Sequence, residues 1–109
     1  MPSKGYTLTD AENYSANSPG FVIPSLSTRM KFESEDIVQL MFENDSYTPG
    51  APPYEHMWVE VLEVPAPGRY IGSLDTHPIF VKGVRYGDTI NFDARHIIKF
   101  INEDGQPDI

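Results

Sequence analysis

The chain has 109 residues, no cysteine, and eight Lys and Arg against sixteen Asp and Glu, for a net charge of −8. That length supports one domain with one modest core, and the missing thiol removes disulfides, thiolate zinc sites and cysteine nucleophiles. Six Phe, six Tyr and one Trp in a 39% hydrophobic chain are the composition of a globular protein rather than a disordered one.

The opening stretch, MPSKGYTLTDAENYSANS, has one lysine and no apolar run. No secretory leader is read there, and no window approaches the roughly 18 apolar residues of a membrane helix. A cytoplasmic location is expected. Residues 1–20 read as a polar segment in which Thr9 caps a short helix, with Asp10 and Glu12 near its positive end and Pro19-Gly20 as its stop. Within 21–32, Pro24 or Ser25 opens a second short helix that places Leu26 and Met30 on one face.

Strand patterns follow. Residues 36–43 alternate with Val38, Leu40 and Phe42 on one face, and 56–64 alternate with Met57, Val59 and Val61 opposite Trp58, Glu60 and Leu62. The stretch 66–69, APGR, is a tight turn, after which 70–75 resumes. Residues 78–82, 88–92 and 96–101 complete the set, and 102–109 is a polar tail expected to fray. Gly72 inside a strand marks a bulge or the close approach of another backbone. Trp58 reads as core or inter-sheet packing, with an exposed contact residue as its alternative. Short strands at this spacing predict an α+β protein, mainly antiparallel β. The expected form is a five- to six-stranded curved sheet or small barrel over residues 21–101, with one or two short N-terminal helices.

The segment 44–55, NDSYTPGAPPYE, carries three prolines, a glycine and two tyrosines between two strand patterns. Proline excludes it from a central strand, and a loop of this length in a small domain is commonly functional. Asp45, Tyr47, Tyr54 and Glu55 are its candidate partner contacts, tyrosine offering contact area at low entropic cost; the alternative is a hairpin loop whose tyrosines fold back onto the sheet.

LDTHP, 74–78, raises the possibility of an Asp75–His77 pair. Turn chemistry accounts for it: Asp75 can bond the backbone two residues on, and Pro78 holds His77 extended and gives nothing to a ladder. Gly87-Asp88 repeats that logic with a positive φ at glycine. No nucleophile can be nominated beside the pair, so no catalytic residue is assigned. His56, His77 and His96 lack the close spacing of a zinc site, and no phosphate-loop, dinucleotide, zincin or nucleophile-elbow motif occurs. No cofactor or metal is expected.

Scattered basic residues offer little to a phosphate backbone, so nucleic acid is not expected as a partner; nor is a membrane. A negative field steers a basic protein, or it serves only to keep the chain in solution. The leading expectation is a non-enzymatic protein-binding module. Its alternatives are a small ligand-binding or enzymatic barrel built on Asp75, His77, Tyr86 and His96, and a structural accessory domain.

Glu55 through Val61, then Gly72, Leu74, Asp75 and Pro78, then Gly87, Asp88, Ile90 and Phe92, then His96-Ile97, together resemble a family of small bacterial domains of unknown function called YegJ-like. Asp10–Glu12, Pro24 and residues 37–43 extend the resemblance over most of 10–101. The chain departs from the pattern at Thr76 or His77, where members carry Asn. The resemblance implies a compact β-rich domain related to immunity proteins of bacterial toxin systems, hence an inhibitor of a basic partner or toxin, and it carries no catalytic residues.

Overall fold

Alternation in the sequence becomes one antiparallel sheet in the computed structural model, which describes residues 5–45 and 49–109. In chain order the elements are β1 (Tyr6–Leu8), α1 (Ala11–Ala16), α2 (Leu26–Arg29), β2 (Ile37–Asn44), β3 (Tyr54–Ala66), β4 (Arg69–Leu74), β5 (Thr89–Asp93), a 3-10 turn (Ala94–His96), β6 (Ile97–Ile101) and β7 (Pro107–Asp108). The sheet runs β5-β4-β3-β2-β6-β7, and β1 pairs with β2. β1 meets the Phe42–Asn44 end of β2, and β6 meets its Val38–Leu40 end. Among the described residues the strands number seven, not five or six. The sheet is curved and open, so the curved-sheet form of the expectation holds and the closed barrel does not.

Register aligns the apolar faces. Val38 lies opposite Val59 and Leu40 opposite Met57, and all four are fully buried, each contributing about 1.5–3 kcal/mol by leaving water. Gly72 lets β4 approach β3. A Cβ there would sit 2.5 Å from the Glu60 carbonyl oxygen and 2.6 Å from Val59 Cγ1. The β3–β4 register also shifts between Val61 and Glu63, opposite Gly72 and Ile71. This bulge tightens the local twist and bends the sheet. Trp58 pairs with Gln39 on the other face, half-buried and outside the core clusters.

The second face is covered at one end by the N-terminal segment. Ala11, Met41 and Ile98 are buried there, with Tyr14, Phe21 and Tyr54 packed around them. Asp10, not Thr9, caps α1: its carboxylate accepts the Asn13 N–H at 3.0 Å, while the Thr9 N–H donates to the Met41 carbonyl. Ser25 caps α2 as expected. The expected apolar face of that helix is reversed, since Leu26 and Met30 are exposed and Arg29 is buried. A buried guanidinium needs acceptors, and Arg29 has three. Its Nε donates to the Pro24 carbonyl at 2.8 Å, and its Nη1 donates to Glu12 at 2.7 Å and to the Ala94 carbonyl at 3.0 Å. Tyr70 holds the same helix from below, its hydroxyl donating to the Arg29 carbonyl at 2.6 Å and accepting the Phe32 N–H at 3.3 Å.

Two further expectations are corrected. Residues 78–82 form no strand. The tail folds back onto the sheet: Asn102 and Gln106 close a turn that returns Pro107 and Asp108 to pair with Ile101 and Phe100.

Candidate functional site

The missing strand is replaced by a braced loop. Glu55, near the start of β3, accepts backbone N–H bonds from three successive residues: Ile79 at 2.8 Å, Phe80 at 3.0 Å and Val81 at 2.9 Å. Successive N–H groups of an extended strand point to opposite sides, so three can converge on one carboxylate only if the backbone curls into an anion-binding concavity. That geometry overrides the strand propensity of the apolar run. Val81 and Val84 anchor the loop in the core. Ile79 is left 79% exposed, Phe80 40% and Tyr86 54%.

Both ends of this loop are fixed. Thr76 clamps the first turn onto β3, its hydroxyl accepting the Trp58 N–H at 2.7 Å, while the Asp75 N–H donates to the Trp58 carbonyl. At the other end Gly87 takes φ +88°, and Asp88 accepts the Arg85 N–H at 2.9 Å. The turn reading of Gly87-Asp88 therefore holds; that of 75–78 is corrected, since no strand follows it and the Thr76 hydroxyl rather than the Asp75 carboxylate makes the contact. His77 lies flat on Tyr86, ring centroids 4.6 Å apart and planes 11° apart.

Of the candidate contacts in the 44–55 segment, Asp45, Tyr54 and Glu55 fall around the same end of the sheet. Asp45 is exposed; its carboxylate accepts the Thr7 hydroxyl at 2.9 Å, and its N–H donates to the Gly5 carbonyl. Gly5 in turn abuts the braced loop so closely that a Cβ there would collide with the Lys82 carbonyl. Tyr6 is half-buried between them, and its hydroxyl pKa is raised by burial and then by the Asp88 carboxylate. Tyr47 lies outside the described residues. Tyr54 turns inward, edge-on to Tyr14 at 5.7 Å, and Glu55 spends its carboxylate on the loop.

The alternative set is not assembled. Asp75, His77 and Tyr86 belong to the loop that precedes β5, whereas His96 follows its other end, roughly 13 Å of strand away. His96 is buried, and its Nδ1 accepts the Asp93 N–H at 2.9 Å. Burial lowers its pKa most, Arg95 lowers it further, and Asp93 and Asp10 oppose them. His56 stands on β3 opposite Met41, its pKa lowered by partial burial and by Lys99. Among the described residues no three His, Asp or Glu gather to hold a metal ion, and no helix is long and apolar enough to cross a membrane.

Sequence reasoning missed Ile79 and Phe80, which it counted as strand, and the bracing role of Glu55. The only local signal was Pro78, which breaks a ladder at that point. Residues 23–105 match the model of a family described as an uncharacterized protein conserved in bacteria (DUF2314). No curated protein and no solved structure matches the chain.

Proposed function

The chain belongs to this bacterial family, and from that premise we propose that it is a non-enzymatic protein-binding module whose contact surface is the braced loop 75–88. The observation that carries the reading is the Glu55 carboxylate with its three N–H donors, which fixes a knob of exposed Ile79, Phe80 and Tyr86. Contact energy concentrates in a few apolar and aromatic anchors, and a side chain already ordered costs less to bind. The rim is mixed, with Asp45 and Asp75 beside Lys82 and Arg85, all exposed. Charge therefore acts through the whole chain, whose −8 steers a basic partner toward it. Asp45 extends this surface and Glu55 shapes it from within, while Tyr54 packs on the other face of the sheet.

In its specific form the module is an immunity-type inhibitor acting in the cytoplasm on a basic protein, a toxin in the pattern of the YegJ-like resemblance. Blocking a partner needs shape and charge and no chemistry of its own, which agrees with the dispersal of Asp75, His77 and His96 over both ends of β5. The test is affinity capture from a bacterial lysate with the wild-type chain and an Ile79→Ser, Phe80→Ser variant of equal melting temperature. A basic protein retained by the first and lost from the second is expected, with retention falling as salt rises. Identical proteins on both would sink the proposal.

A further inference from the structure

At the far end of β5 from the knob lies a cavity of about 330 Å³, formed by the outer side of the β4–β5 ribbon and the 3-10 turn, with Pro65 at its rim. This volume lies at the lower end of small-molecule sites, roughly 300–1,000 Å³. Its walls gather cations in a chain poor in them: Arg69 and Arg95, two of four arginines, both line it. Arg69 makes no ion pair or side-chain hydrogen bond among the described residues. Arg95 pairs only loosely with Asp93, Nε to Oδ2 at 3.5 Å, with both side chains about half exposed.

Two further donors face the same space. His96 uses Nδ1 to accept the Asp93 N–H, which leaves its other ring nitrogen as a donor. Asn91 adds a side-chain amide, and Pro65 and Ile71 supply apolar wall. Asp93 is the single acid lining the cavity and pairs with Arg95; Glu63 stands opposite Ile71 and Asp10 lies near His96 outside the lining, so Arg69 is the lining cation that an anion would meet. Guanidinium groups match the oxygens of phosphate and carboxylate in a paired geometry. We propose that this corner is a binding site for a small organic oxyanion, a phosphomonoester or a carboxylate, with its body on Pro65 and Ile71. The site is independent of the protein-contact surface, since β5 separates them, and neither proposal falls with the other.

The test is an amide-shift titration of the full chain with phenyl phosphate and with benzoate, at fixed ionic strength against chloride, with phenol as the uncharged control. Saturable shifts confined to Ile71 and residues 91–96 are expected from at least one anion and not from phenol. The anion giving the tighter curve names the headgroup. Arg69→Gln and Arg95→Gln change exposed side chains and preserve the fold; each is expected to weaken binding about tenfold, the scale of one hydrogen bond to a charged group. Three results would overturn the proposal: no saturation with either anion, shifts spread equally over Lys31, Arg85 and Lys99, or wild-type affinity in the double variant.

Discussion

Removing the Glu55 carboxylate tests the brace directly. Glu55→Ala deletes three hydrogen bonds of 2.8–3.0 Å. The Ile79 and Phe80 N–H groups are exposed, and water replaces their acceptor at a net loss of about 0.5 kcal/mol each, the low end for a hydrogen bond. The Val81 N–H is partly buried, and leaving it unpaired costs about 1–2 kcal/mol. The total is roughly 2–3 kcal/mol, or about 10–15 °C in melting temperature for a domain of this size. Glu55→Gln keeps one acceptor oxygen, which can hold the two bonds that share Oε1, and sets an amide N–H against Ile79. Its expected loss is nearer 1 kcal/mol. Urea denaturation gives both values, and native-state hydrogen exchange locates them: the Ile79–Val81 amides should lose protection before the β2–β3 amides do. Wild-type stability and unchanged exchange at 79–81 in Glu55→Ala would refute the brace.

Other substitutions probe the packing that carries the two sites. Gly72→Ala forces a Cβ against the Glu60 carbonyl, which belongs to backbone and cannot swing aside; a loss of about 2–3 kcal/mol in urea denaturation is expected. Tyr70→Phe strands the Arg29 carbonyl that its hydroxyl serves at 2.6 Å, and should cost about 1–3 kcal/mol by the same measurement. The lowered pKa of His96 means the unfolded chain takes up this proton first. Stability is full above the unfolded value near 6.5 and falls as pH drops below it, by up to about 1.4 kcal/mol per pH unit. Between pH 7 and 5, a His96→Gln chain should show the flatter profile in chemical denaturation.

What the sequence made legible was whatever depends on near neighbours. Period-two alternation located β2, β3, β4, β5 and β6, Ser25 marked the start of α2, and Gly87-Asp88 marked its turn. Gly72 was recognisable because a glycine inside a strand pattern implies crowding. Choices settled by distant partners were not legible. Arg29 goes inward and Leu26 outward because Glu12 and the Ala94 carbonyl wait for the guanidinium, a fact no helical periodicity contains. The run Pro78–Lys82 has the apolar character of a strand, and only an acceptor twenty-four residues away in sequence at Glu55 curls it. β1 and β7 are too short to carry a pattern. The basic cavity draws on β3, β4, β5 and the 3-10 turn, so Arg69 and Arg95 looked merely scattered.

Binding through the knob is the central claim, and titration calorimetry of the captured basic partner against wild-type and Ile79→Ser chains tests it most directly. Burying an isoleucine side chain that is 79% exposed when free is worth about 1.5–3 kcal/mol, so the substitution should weaken the dissociation constant by roughly tenfold to a hundredfold with the melting temperature unchanged. An unaltered dissociation constant in a chain of wild-type stability would contradict the claim.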